Sequence, residues 1–360
     1  MQLSDLIAPA RRLALVGLAK NTGKTETLGA LLRECQERGR RVGVTSVGRD
    51  GEERDVIDIR IEKPRVELCA GSLVATTDAL LRAGAIPHEL VLETGVRTPL
   101  GRVLIARLLA QGTIEVAGPS AAADVREVCD AMLAHGAEQV LIDGAIDRRA
   151  ASSPAVSDGL VMSTGAALHE EIEQVVARTR DAVALVRLPE LHEPRVRELA
   201  RAGAASMLVG EAGEEPLTLH PRFALTSTAP DIAQLLRARP GASHLLLQGA
   251  LCEPFLAELL RALDLDRRTR PPGGLDSLVL VVADPTKVFL TDHGVDWYRR
   301  QGLSIEVLAP IDLRAITVNP VAPLSHSFDS PRLRALLEEA IPGVPVLDVR
   351  DPTSNLVPAA

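Results

Sequence analysis

The sequence predicts an α/β protein: a mainly parallel sheet with helices on both faces, followed by a C-terminal α/β domain. Three observations predict it. Short apolar runs alternate with amphipathic segments from residue 12 to 190, the pattern of strand–helix–strand units. The alternation breaks in the acidic, glycine-containing stretch Gly210 to Leu219 and then resumes. The 360 residues suffice for two domains of ordinary size. The expected division is 1–210, 211–345 and a tail, 346–360.

Composition narrows the function classes. The chain is 46% hydrophobic but only 2% aromatic, so Leu, Val, Ala and Ile must build the core. A formal net charge of −8 argues against a nucleic-acid or anionic-membrane surface. Cys35, Cys69, Cys129 and Cys252 have no C-x-x-C spacing and lie in apolar segments, so they read as small buried hydrophobes in a reducing compartment. No signal-peptide pattern opens the chain and no apolar run reaches membrane-spanning length, so a cytoplasmic protein is expected. The only lysines are Lys20, Lys24, Lys63 and Lys287. Such arginine-rich usage reflects a coding bias, and the retained lysines mark either sites that need a compact ammonium or chance survivors.

The chain opens on its most informative stretch. Leu13 to Val16 is an apolar strand, and Leu28, Leu31, Leu32 and Cys35 fall at helical spacing within Glu26 to Arg38. Between them runs Gly17-Leu18-Ala19-Lys20-Asn21-Thr22-Gly23-Lys24-Thr25. Strand, glycine loop, Lys-Thr and helix form the layout of a phosphate-binding loop, which places the first domain with the P-loop NTPases. A helix start has unpaired N–H groups and partial positive charge, and the loop lets them point at a phosphate. Lys24 is the expected charge on the β/γ-phosphates and Thr25 the hydroxyl ligand for Mg²⁺. Gly17, Asn21, Thr22, Gly23, Lys24, Thr25 and Glu26 are the expected nucleotide contacts, with ATP and Mg²⁺ as cofactors. The usual spacing puts the first glycine at position 18, occupied here by Leu18; Gly17 makes the loop one residue longer. Loops of this length resemble that of dethiobiotin synthetase. Lys20 is one residue away from the position of a second, signature lysine, and no such role is assigned to it.

Arg41 to Ser46 is the next strand and runs into Gly48-Arg49-Asp50-Gly51-Glu52. A loop at the carboxyl end of a strand is where open α/β sheets place ligand contacts. Asp50 and Glu52 are therefore either positions for Mg²⁺ or the attacking water, or acids of a polar turn. Ile57 to Ile61 and Val66 to Gly71 are short strands, and Leu73 to Gly84 reads as a helix. Glu89 to Glu93 is a strand ending in Thr94 to Gly101, a substrate-facing loop or a plain turn. Val103 to Leu109 and Thr113 to Ala117 are strands, and Ser120 is the expected N-cap of a helix to His135. Gln139 to Ile142 is a strand ending in Asp143-Gly144. An acid there either meets the Mg²⁺ of a phosphate site, directly or through water, or caps a turn. Ser157 to Thr164 is a strand, His169 to Arg180 a helix and Ala182 to Val186 a strand. Further on, Ser243 to Leu247, Leu278 to Ala283 and Ser304 to Leu308 are strands, and the segments before Leu263 and from Asp292 to Gln301 are helical. Arg267 to Gly274 reads as a loop, and the chain after Pro342 as a loosely held tail. Lys24, Asp50, Glu52 and Asp143 are the catalytic candidates; Thr25 and Asp143 are the metal candidates.

These motifs, with Thr98-Pro99-Leu100-Gly101, Ala117-Gly118-Pro119-Ser120, Ile142-Asp143-Gly144-Ala145-Ile146-Asp147-Arg148 and Ser163-Thr164-Gly165-Ala166, together resemble one family. It is the P-loop protein encoded beside adenosylcobalamin-dependent lysine 5,6-aminomutase and ornithine aminomutase. The likeness covers most of residues 12–170 in order. It extends more weakly to Gln248-Gly249-Ala250-Leu251, Asp284-Pro285-Thr286-Lys287 and Val318-Asn319-Pro320. The resemblance implies an ATP-dependent reactivating factor that drives damaged cobalamin out of the mutase. It implies the aminomutase subunits and a MutS-like companion ATPase as partners. A reactivator need not grip cobalamin itself, and the chain has no D-x-H-x-x-G pattern. The other reading is an ATP-dependent ligase or kinase of the dethiobiotin synthetase type acting on a small carboxylate. The oligomeric state stays open, a homodimer included.

Overall fold

A computed structural model describes residues 2–48, 65–145, 149–203, 205–210, 214–219, 225–264, 278–323 and 325–351. The first stretch of chain forms α1 (Leu3–Leu6), β1 (Arg12–Gly17), α2 (Lys24–Glu37), β2 (Val42–Ser46), β3 (Val66–Leu68), β4 (Leu73–Thr77), α3 (Asp78–Ala83), β5 (His88–Thr98), β6 (Gly101–Leu108), β7 (Gly112–Ile114), α4 (Ala122–Ala134), β8 (Gln139–Ala145), β9 (Gly159–Gly165) and α5 (Ile172–Val186). The middle forms α6 (Pro194–Ala202), β10 (Met207–Val209), β11 (Leu217–Thr218), α7 (Ala229–Ala238), β12 (His244–Leu246), β13 (Leu251–Cys252), α8 (Glu253–Asp264), β14 (Leu278–Val282), β15 (Val288–Phe289), α9 (Val295–Arg300) and β16 (Leu303–Val307). The last stretch forms β17 (Leu313–Asn319), α10 (Ser330–Ala340) and β18 (Val346–Asp348).

The chain divides into two compact units, Met1–Arg180 with Asp312–Ala360, and Asp181–Ile311. This differs from the expected boundary near 210. The second unit is an insertion, because β17 leaves it and pairs in parallel with β9 of the first. The expected tail contributes β18, which pairs in parallel with β17.

The first unit is α/β with a large mixed sheet, ordered β18-β17-β9-β1-β8-β2-β4-β6-β5. The strands from β18 to β4 run parallel; β6 runs antiparallel to its neighbours β4 and β5. The sheet is thus only partly parallel. Helices cover both faces, and side-chain alternation along β2 shows how. Val42 and Val44 join a core with Leu28, Leu31, Leu32 and Cys35 of α2. Gly43, between them, faces the other way: a Cβ there would stand 2.7 Å from Met132 Cε of α4. Each fully buried leucine of α2 contributes about 2–3 kcal/mol by leaving water.

Several local expectations are corrected. Residues 73–84 are not one helix: Leu73 to Thr77 form β4, with every residue buried between β2 and β6. Its β-branched Val74, Thr76 and Thr77 suit a pleated surface, and burial on both faces overrides the helical spacing. Thr94 to Thr98 continue β5, and Thr98–Gly101 closes a plain hairpin to β6. Of the expected strand 113–117, only Thr113 and Ile114 pair, as part of β7 with β3. Ala121, not Ser120, stands at the N-cap of α4. Ala182 to Val186 end α5 instead of forming a strand, since a short apolar run fits either state. Cys35 and Cys129 are buried, but Cys69 and Cys252 are partly exposed; all four are free thiols.

The second unit has a five-stranded sheet, β11-β10-β12-β14-β16, in which β12, β14 and β16 run parallel. Among the described residues, no helix is long and apolar enough to cross a membrane.

Candidate functional site

β1 ends at Gly17 and α2 begins at Lys24, so the loop spans the interval that the glycine spacing marks out. Two residues turn it with left-handed backbone, Asn21 at φ 64° and Gly23 at φ 93°. Asparagine tolerates this conformation through its short polar side chain. Gly23 has a second reason: a Cβ would stand 2.8 Å from the Asn319 Cβ. The buried Thr22 donates its hydroxyl to Ala19 O at 2.9 Å, closing the loop on itself. Gly17 leaves room for that hydroxyl, which a Cβ would approach to 2.8 Å.

The loop is tied to two strand ends. Leu18 N–H donates to Ser163 O on β9 at 2.9 Å. Asn319 Nδ2, at the end of β17, donates to Asn21 O at 2.9 Å. Beneath the helix start, the buried hydroxyl oxygens of Thr27, Ser163 and Thr317 lie within 2.8–3.2 Å of one another, and Thr27 donates to Gly23 O. Gly165 allows the close packing of β9 on the end of β17: a Cβ there would fall 1.9 Å from Asn319 O.

The main charges face each other at the head of α2. β8 lies beside β1 with Leu15 opposite Asp143. The Lys24 Nζ meets Asp143 Oδ1 at 2.6 Å, with each side chain about a quarter exposed. The backbone of the same aspartate holds the next segment, since Val47 N–H donates to Asp143 O at 2.9 Å. Gly48 N–H donates to Pro119 O at 2.9 Å, and Gly118 packs where a Cβ would collide with Ser46 O.

The predicted residues Gly17, Asn21, Thr22, Gly23, Lys24, Thr25, Glu26 and Asp143 thus lie at the carboxyl ends of the parallel strands β1 and β8 of the mixed sheet, where open α/β folds place ligands. The segments 118–119, 163–165 and 319 gather there too. Asp50, Glu52, Lys63, Asp147 and Arg148 lie outside the described residues. The Thr98–Gly101 turn stays apart: β6 is four strands from β1 in the sheet order, roughly 19 Å across. Gln248, Asp284 and Lys287 belong to the other unit. Sequence reasoning assigned no role to Asn319, Ser163 or Thr27. Ser163 and Asn319 entered only as members of the motifs Ser163-Thr164-Gly165-Ala166 and Val318-Asn319-Pro320, with no contact to the loop assigned.

This donor set fits a polyphosphate with Mg²⁺. The N–H groups of Lys24, Thr25 and Glu26 precede the first i→i−4 bond of α2, which Thr27 N–H makes to Gly23 O. An ammonium and an exposed hydroxyl stand beside them. Among the described residues, no group of three or more His, Cys, Asp or Glu forms a metal centre. Mg²⁺ here would be held by phosphate oxygens with Thr25 and Asp143, in keeping with its preference for few protein ligands. Compared with protein-family models and with curated proteins, the chain matches no family model and no curated sequence.

Proposed function

We propose that the chain is a P-loop ATPase that binds Mg·ATP at residues 17–26 and acts as a reactivating factor for an adenosylcobalamin-dependent aminomutase. The observation that carries the nucleotide reading is the Lys24–Asp143 pair at 2.6 Å, set at the start of α2 between adjacent parallel strands. Bound Mg²⁺ supplies charge neutralisation on the phosphates. Lys24 exchanges its carboxylate partner for phosphate oxygens, and Asp143 becomes available on the metal side.

The reactivation reading rests on the motif resemblance and is supported by the chain layout. Asp181–Ile311 is inserted between β9 and β17, and β17 ends at Asn319, which touches the loop. A small-molecule kinase needs no such insertion. Ejecting a dead cofactor requires opening a buried site, and nucleotide state can bias that equilibrium only through differential affinity for its two forms.

The test uses aminomutase inactivated by turnover or loaded with hydroxocobalamin. This protein, ATP, Mg²⁺, fresh adenosylcobalamin and the MutS-like companion ATPase restore activity on this reading. No recovery overturns it. The Gly17-to-Gly23 spacing supports the second reading, a ligase or kinase of the dethiobiotin synthetase type. ATP consumption that depends on a small carboxylate, with no mutase present, would establish that one instead.

A further inference from the structure

An open groove of about 560 Å³ runs along the outer face of α2, lined by Thr25, Glu26, Gly29 and Arg33 with Val349 and Arg350 from the segment after β18. Ligand clefts begin at about 300 Å³, so the space suits a small organic group. It starts at Thr25, the last residue of the phosphate loop, and extends one helical turn, about 6 Å, to Gly29. Arg350 and Glu26 pair across it at 2.6 Å. The far wall is held in place by Asp348, which accepts from Ser330 Oγ at 2.5 Å and from the Arg350 N–H at 2.9 Å.

Gly29 is the telling residue. Glycine is less favourable than alanine inside a helix. Packing does not demand it here. The nearest atom to a Cβ at that position is Arg33 Nη1 at 3.4 Å, the far end of a flexible side chain. A side chain at 29 would instead fill the groove beside Thr25.

We infer that this groove is the nucleoside subsite, holding the ribose and base of a nucleotide whose phosphates lie at residues 17–25. Val349 and the bare Gly29 backbone offer apolar surface to the base. Arg350 offers a guanidinium plane that stacks on an aromatic ring. Glu26 accepts from ribose hydroxyls, releasing Arg350 from their ion pair. The inference rests on the nucleotide reading above, and the two fail differently.

The test is calorimetric titration with Mg·ATP and with Mg·tripolyphosphate, which carries the phosphates without a nucleoside. Wild type, Gly29→Leu and Arg350→Ala are compared, with circular dichroism to check folding; leucine at 29 favours the helix. The expected result is ATP binding weakened about tenfold or more in both variants, with tripolyphosphate binding unchanged. Unchanged ATP affinity in a folded Gly29→Leu protein overturns the subsite, as does a parallel loss for both ligands. Wild type that binds tripolyphosphate as well as ATP also overturns it while leaving the phosphate loop standing. Wild type that binds neither ligand brings down the nucleotide reading and this subsite with it.

Discussion

Lys24 and Asp143 join ammonium to carboxylate at 2.6 Å across the β1–β8 neighbours, each about a quarter exposed. A pair this open to water contributes less than about 1 kcal/mol to stability. Its consequence is local: one full positive and one full negative charge are held within reach of the same helix start.

Lys24→Ala should fold as wild type does, because so little stability depends on the pair. Its Mg·ATP affinity should fall on the order of 100-fold, because the phosphates lose the loop lysine's charge. Lys24→Arg should recover only part of it, since a planar guanidinium does not replace a compact ammonium. Titration with ATP, and with GTP alongside to settle the base, checks this; equal affinity in wild type and Lys24→Ala would sink the phosphate-loop reading.

Asp143→Asn keeps the shape of the side chain and removes its charge. The variant should retain the fold and bind nucleotide, yet lose Mg²⁺-dependent turnover by on the order of 100-fold. A phosphate-release assay across Mg²⁺ concentrations reads this. Turnover that survives would return Asp143 to the status of a strand-end residue and shift attention to Asp50 or Glu52.

The contact between β9 and the end of β17 can be tested from the other side of the site. Gly165→Ala places a Cβ 1.9 Å from Asn319 O, and neither backbone can yield without disturbing the loop. A loss of about 3 kcal/mol in unfolding free energy is expected. Asn319→Ala removes the donor to Asn21 O and should cost only about 1 kcal/mol, with a several-fold loss of ATP affinity. Thermal unfolding and titration of both variants separate the steric from the hydrogen-bond effect. A Gly165→Ala protein as stable as wild type would refute the packing argument.

In the second unit, burial alone would raise the Glu253 carboxyl. The N–H groups of Asp292 and Thr291 and the hydroxyls of Thr291 and Tyr298 outweigh it and hold its pKa down at about 2. Burial, then the bond to Glu253, pushes the Tyr298 phenol up. The depressed carboxyl stabilises the fold above its unfolded value and loses that contribution as pH falls through about 4.5 toward 2. Glu253→Gln should therefore destabilise the protein at pH 7 by roughly 2–3 kcal/mol. The gap to wild type should narrow over that acid window; denaturant unfolding at pH 7 and at pH 3 reads it. A constant gap would show that the bonds and not the charge are responsible.

What the sequence by itself determined is the local machinery. Leu13 to Val16, the glycine loop and the apolar face of α2 are contiguous, and each declares itself in its own residues: the strand by an apolar run, the loop by its glycines and Lys-Thr, the helix by its spacing. Asp143 was legible as an acid following an apolar run, although β8 continues past it to Ala145. Tertiary structure alone decided the rest. Asn319 meets Asn21 across 298 residues, and nothing near either position announces the partner. Leu73 to Thr77 became a strand and Ala182 to Val186 a helix turn because short apolar runs satisfy either backbone until neighbours are present. The return of β17 and β18 to the first sheet likewise depends on pairing that forms only after the inserted unit has been crossed. Burial leaves an apolar run or period in neighbouring residues, so the strand, the loop and the helix could be read from the chain; which distant segment supplies each partner leaves no such mark, so the loop's supports could not.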